Sequence, residues 1–113
     1  MIEFTFLLDS RESLKQSDEI ELEIFHSLFD KEFLESYHFV MEEQIVLDVF
    51  YLEDSLEPFL ENEAVIGLLK KDGTKALPIT LKDGEIIKSK KLLSVDECAE
   101  IFDMGIFIQY SDG

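Results

Sequence analysis

The side chains able to do chemistry in this 113-residue sequence are few and far apart. Cys98 is its one cysteine, and His26 and His38 are its two histidines. A single thiol can neither close a disulfide nor build a Cys-x-x-Cys redox pair or a multi-cysteine metal site within one chain. Cys98 also falls on the stripe Val95, Cys98, Phe102 of an apolar helix face, where a small core residue is the natural reading. A reactive thiol would need exposure and a positive neighbour. His26 flanks an aromatic stripe and His38 lies near the end of the same segment. Neither has a second ligand at helical or hairpin spacing, so both read as partly buried structural histidines. The sequence offers no nucleophile with a base beside it, no phosphate-binding glycine loop, no zinc signature and no D-x-D-x-D-G calcium loop. In so acidic a chain, paired carboxylates carry no information about acid–base work. The expectation is a protein that is not an enzyme and needs no cofactor.

What the sequence does have is acid. The formal net charge is −16, and it is unevenly spread. Residues 1–63 hold 18 acids and 3 bases, a net of −15, whereas residues 64–113 hold 8 acids and 7 bases, a net of −1. Two groups stand out: Glu19, Glu21 and Glu23, then Glu53, Asp54, Glu57, Glu61 and Glu63. Such a field repels nucleic-acid phosphates and acidic membranes and favours a protein partner with a basic surface. The plainer account is a solvated, solubilising face. Direct DNA binding is disfavoured, because the basic cluster Lys82, Lys88, Lys90 and Lys91 is small.

The elements that must carry these residues follow from periodicity and punctuation. Residues 3–8 alternate as a strand, with Phe4 and Phe6 on one face and Thr5 and Leu7 on the other, and 9–17 (DSRESLKQS) read as a loop. One helix is expected from Asp18 to about Tyr37, with Leu22, Phe25, Phe29 and Phe33 on a stripe and Asp18 with Glu21 resembling a capping box. Residues 20–25 (IELEIF) also alternate like a strand, and so short a window leaves both readings open. A linker or helix extension, 38–44, leads to the apolar β-branched run 45–52, suited to a buried strand. Residues 55–60 make a helical turn with Pro58 near its start.

The most informative stretch is 62–88. Asn62 caps a helix bearing Ala64, Val65, Leu68 and Leu69, Lys70 and Lys71 meet the negative end of its dipole, and Gly73 ends it. Pro78 opens a strand where a missing N–H is tolerated. Asp83 and Gly84 form a two-residue primed turn, and 85–88 return antiparallel. Ser94 to Glu97 is a capping box for a last helix through Phe102, closed by Gly105. The apolar tail 106–110 is left to add an edge strand, to pack under that helix or to meet a partner.

Strand, helix, strand, helix, strand, strand, helix is the order of a thioredoxin-like α/β fold, a four-stranded mixed sheet (βαβ, then ββα) flanked by helices, in one domain covering 1–113. More narrowly, ENEAV, ALPITL and DGEIIK resemble the ArsD family of arsenical-resistance trans-acting repressors and arsenic metallochaperones, over about residues 46–106. The resemblance implies that Pro78 follows a cis peptide bond. It also implies three cysteines in the loop after the first strand, which bind trivalent arsenic or antimony for delivery to a partner ATPase. Here that loop, 9–17, contains none. A soft metalloid needs soft thiolates, so metalloid binding is carried over to no residue.

What the resemblance leaves is the fold and a regulatory or protein-binding role, with an ATPase or operon-regulatory partner and room for a homodimer. The second hypothesis rests on charge: an acidic inhibitor that imitates nucleic acid and blocks a basic groove, of anti-restriction or anti-CRISPR type, with Glu19, Glu21, Glu23, Glu53, Asp54, Glu57 and Glu61 as the contact residues. No segment approaches the length of a membrane span. The start, MIEFTFLLDSRES, lacks a basic region and a cleavage site, so an intracellular, cytoplasmic protein is expected.

Overall fold

β1 (Ile2–Leu8) is paired on both sides, and the other elements are placed by what covers its two faces. The computed structural model describes residues 1–102, so the expectations at Gly105 and over 106–110 lie outside the described residues. Beside β1 on one side runs β2 (Ile45–Tyr51), parallel, with Phe4 opposite Leu47. On the other side lies β3 (Ile79–Lys82), antiparallel, and beyond it β4 (Glu85–Ser89), giving the order β2-β1-β3-β4. This is the expected four-stranded mixed sheet. No helix among the described residues is long and apolar enough to cross a membrane.

Alternation sends Phe4, Phe6 and Leu8 to one face and Leu7 to the other, and all four are buried. The first face is covered by α2 (Glu19–Leu28), α3 (Lys31–Met41) and α6 (Val95–Phe102) through a mainly aromatic core. Phe6 meets Phe25 edge-on at 5.1 Å between ring centroids, and Phe102 lies 5.3 Å from Phe4 and 5.6 Å from Phe33. Edge-on and offset contacts of this kind suit the ring quadrupole and add to the area buried. The second face is covered by α4 (Glu57–Leu60) and α5 (Glu63–Asp72) through Phe59, Val65, Ala76, Leu77, Ile79 and Leu81.

Asn62 is the joint of this second layer. Its Oδ1 accepts from the Ala64 and Val65 amides at 2.9 and 3.2 Å, and its Nδ2 donates to the Gly84 carbonyl at 2.8 Å. One side chain thus starts a helix and anchors the tip of the β3–β4 hairpin to it. That tip is the two-residue turn expected, with positive φ at both Asp83 (51°) and Gly84 (87°). Asp83 also returns to the sheet, its amide donating to the Glu3 carbonyl and its Oδ1 accepting from the Glu3 amide.

The Ser94–Glu97 capping box is formed, the Ser94 amide donating to Glu97 Oε1 at 2.9 Å and the Glu97 amide to Ser94 Oγ at 3.2 Å. Lys88 Nζ of β4 donates to both Glu97 carboxylate oxygens at 2.9 Å, so the cap also clamps α6 to the sheet. Burial works against the Glu97 charge. The Lys88 hydrogen bonds, then those of Ser94, more than offset it and hold the carboxyl below its ordinary range.

Four expectations are corrected, and the one reading left open, over 20–25, is closed in favour of the helix. The loop 9–17 contains a short helix, α1 (Arg11–Lys15), capped reciprocally by Ser10 and Ser13, so serine does here what glutamate does in the usual capping box. The single helix from Asp18 is two: the chain turns extended at Asp30, whose Oδ1 accepts from the Glu32 amide at 2.7 Å and starts α3 afresh. Residues 20–25 are helical, which removes the strand reading, and Asp18 caps them through the Ile20 amide. β2 is an edge strand rather than a buried one, because the sheet ends there and only alternate side chains meet a helical layer. His26 and His38 are exposed, not partly buried; the His26 ring lies edge-on to Phe25 at 5.6 Å, at the rim of the core.

Two outcomes follow. Thr80 is fully buried opposite Phe6, and its Oγ1 has no hydrogen-bond partner among the described residues. Thr80→Val keeps the shape and removes the unpaired hydroxyl, so the urea midpoint should rise, by about 1 kcal/mol in stability. The Glu97 charge stabilises the fold above the ordinary carboxylate range and ceases to do so as pH falls through its lowered folded value. Glu97→Gln keeps the cap but not the ion pair; it should cost about 1 kcal/mol at pH 7 and flatten the acid limb of the stability–pH curve.

Candidate functional site

The connections leaving the carboxyl ends of β1 and β2 and the turn entering β3 come together at one end of the sheet. There the Leu77–Pro78 peptide bond is cis, as the resemblance implied. The Leu77 amide donates to the Thr74 carbonyl at 3.1 Å, closing a 3₁₀ turn over Gly73–Ala76, and the Lys90 amide donates to the Ala76 carbonyl at 2.9 Å. Lys90 adopts a left-handed backbone (φ 73°), uncommon for a side chain of this kind. These bonds fix the turn that carries Pro78, and a cleft of about 300 Å³ lies between that turn and the α1 segment.

One wall of the cleft is Leu8, Asp9, Ser13, Leu14, Gln16 and Ser17; the other is Thr74, Leu77, Pro78 and Lys90. A second hollow of about 200 Å³, sharing Ser17, Pro78 and Lys90, extends it past Asp18, Glu21 and Lys91. The polar lining is hydroxyl, carboxamide, carboxylate and ammonium, all hard groups suited to hydrogen bonding and unsuited to a soft metalloid. No histidine or cysteine lines it, and no group of three or more His, Cys, Asp or Glu among the described residues is placed to hold a metal ion.

The wall nearest β2 is fastened by Arg11. Its guanidinium pairs in a fork with Asp54 (3.0 and 2.9 Å) and donates to Glu53 Oε2 at 2.9 Å, while its own amide donates to the same Glu53 oxygen at 3.0 Å. The guanidinium carbon lies 4.1 Å from the centre of the Tyr51 ring, a cation–π stack. Hydrogen bonding to Arg11 outweighs burial and holds the Asp54 carboxyl below its ordinary range. The same pairs raise Arg11.

The acidic residues singled out from sequence are thereby sorted. Glu53 and Asp54 spend their carboxylates on Arg11. Glu57 and Glu61 bracket α4 and are exposed, Glu19 and Glu23 are exposed on α2, and Glu21 lines the smaller hollow. The first group lies on α2, under one face of the sheet, and the second on the β2–α4 turn and the ends of α4, at the other. Of the basic cluster, Lys88 is engaged by Glu97, and Lys90 Nζ lies 3.9 Å from Asp72. Cys98 is fully buried in the aromatic layer, as its stripe implied; burial, with the Glu97 charge adding to it, pushes its thiol up to about 12. Sequence reasoning missed Arg11, Ser13, Gln16 and Thr74. The one signal for the Arg11 contacts, a lone arginine in an acid-rich half, names no partner.

Residues 30–111 match the model of a family described as the arsenical resistance operon protein ArsD. The chain is 35% identical over 52 residues to a putative arsenical resistance operon repressor ArsD of Halobacterium salinarum, an alignment covering 46% of this chain and 48% of that protein, so it spans about half the length of this relative. In structure it resembles an arsenical resistance operon trans-acting repressor from Bacteroides vulgatus ATCC 8482, with a TM-score of 0.57, 27% identity and 88% of each chain covered.

Two measurements check the site. Arg11→Ala should speed amide exchange in α1 and at Glu53 while leaving the global unfolding midpoint nearly unchanged, since exposed ion pairs hold local geometry more than they hold the fold. In the native protein a thiol reagent should label Cys98 only at the rate of unfolding; prompt stoichiometric labelling would contradict its burial.

Proposed function

The chain belongs to the ArsD family, and from that premise we propose that it is a non-catalytic member, regulatory or protein-binding, that works without metalloid-binding thiols. The observation that carries this reading is the chemistry of the loop after β1. Where the family resemblance implies cysteines, this loop presents Ser10, Ser13 and Ser17, and Arg11 ties it to the β2–α4 connection. Serine hydroxyls stay protonated at neutral pH and are hard donors, so they do not replace thiolates for trivalent arsenic. The one thiol in the sequence cannot stand in, because Cys98 is buried and its anion is disfavoured.

The curated relative and the solved neighbour are both named as repressors of an arsenical resistance operon. That supports a regulatory role for this chain too. Its acidity turns the role towards a basic protein surface, for which Glu19, Glu23, Glu57 and Glu61 are the exposed candidates, and away from direct contact with DNA. An ATPase or an operon-regulatory protein is the class of partner proposed. The nucleic-acid mimic draws on the same charge but on no other feature, and comes second.

Arsenite titrated by calorimetry into reduced protein should give no saturable heat, and Cys98→Ser should behave identically. One-to-one binding of micromolar or tighter affinity, abolished by Cys98→Ser, would show that thiol chemistry has been retained.

A further inference from the structure

The two edges of the sheet are finished differently. β4 is five residues long, carries Glu85 and Lys88, and pairs with β3 through a register shift at Thr80/Leu81 that leaves Ile87 without a partner. A short, charged, irregular strand of this sort discourages a further strand from adding. β2 is longer and regular: it has seven residues, pairs with β1 without a register shift, and reads IVLDVFY, apolar except for one charge, Asp48, at its middle.

Its free backbone groups can be assigned from parity. The Ile2 amide donates to the Gln44 carbonyl and the Leu52 amide to the Leu8 carbonyl, so even-numbered residues of this strand face β1 and odd-numbered ones face away. The Tyr51 carbonyl is taken by the Asp54 and Ser55 amides. Among the described residues this leaves the N–H and C=O groups of Ile45, Leu47 and Val49 with no backbone partner, an open half-ladder. The side chains of these three turn into the aromatic layer. On the other face Val46, Asp48 and Phe50 stand in a row: Val46 is half-buried, Asp48 is exposed and Phe50 is 37% exposed.

We infer that the outer edge of β2 receives an extended segment of a protein partner as a fifth strand, one that sets a lysine or arginine between two apolar residues at alternate positions. The open half-ladder supplies the main-chain bonds, and the apolar–acid–apolar row supplies the selection. Charge argues against a second copy of this strand. Residues 42–54 hold five acids and no base, and antiparallel self-pairing about the middle would set Asp48 against Asp48. The inference deepens the protein-binding reading above but does not depend on the fate of the thiols. Its test is run without arsenite, so either can fail alone.

The probe is a blocked peptide, Thr-Val-Thr-Lys-Thr-Val-Thr, titrated into the full isotope-labelled chain and followed by amide resonances. Saturable shifts and slowed exchange centred on Leu47 and Val49 are expected, with binding weaker by about fivefold or more when the peptide lysine is replaced by glutamate. Asp48→Lys, at an exposed position that leaves the core intact, should reverse that preference. Val49→Pro removes an outward N–H without touching the β1 ladder and should abolish binding; if it does not fold, Asp48→Lys alone decides. Shifts confined to other surfaces, equal binding of both peptides, or no shift at millimolar peptide would overturn the inference. So would Leu47 and Val49 amides already protected in the free protein, which would mean that a second copy or residues 103–113 hold the edge.

Discussion

A strand that buries side chains on both faces is the constraint from which the rest of this structure follows. Phe4, Phe6 and Leu8 leave water on one side of β1 and Leu7 on the other, so a layer of helices is required above and below. The aromatic layer meets that need with α2, α3 and α6, the aliphatic layer with α4, α5 and the turn before Pro78. Single polar side chains then join the layers to the sheet. Asn62 joins α5 to the hairpin, and Glu97 joins α6 to β4, each by starting a helix and bonding to a strand or turn at once. Both joints are local caps with a long-range second partner, which couples helix formation to sheet registration.

That coupling explains how the cleft at Pro78 is built. Its two walls come from distant parts of the sequence, the α1 segment and the stretch from Thr74 to Pro78, and meet because β1 and β3 are neighbours. The main-chain bonds of Leu77 and Lys90 hold one wall, and Arg11 with Glu53 and Asp54 holds the other. In a family whose resemblance implies thiols at this loop, the chain instead has hydroxyls and an ion-pair fastening. The mouth of the fold is thereby lined by hard polar groups, and family membership by itself does not carry the chemistry with it.

Much of this was legible because it is written in local chemistry. Asn62 before an amphipathic run, Gly73 after it, Pro78 at a strand's mouth, Asp83-Gly84 between two strands and Ser94-x-x-Glu97 each depend on neighbours within a few residues, and each is formed as read. Two features are equally local and yet carry weaker signals. Ser10 with Ser13 was passed over because serine is a rarer closing residue than glutamate. The break at Asp30 was hidden because Phe25, Phe29 and Phe33 keep a helical spacing across it, although Phe29 is 38% exposed while Phe25 and Phe33 are buried. A hydrophobic period does not register a turn that preserves it.

By itself, then, the sequence determined the family, the four strands in their order along the chain and the absence of thiols from the first loop, because composition, caps and turn residues act over short distances. Tertiary structure alone decided that the apolar run 45–51 ends the sheet instead of lying inside it, that Glu53 and Asp54 pair with Arg11, and that both histidines are exposed. Each of those outcomes depends on which surfaces meet across gaps of tens of residues. A residue's type records its tendency to be buried or paired but not the partner that will do it.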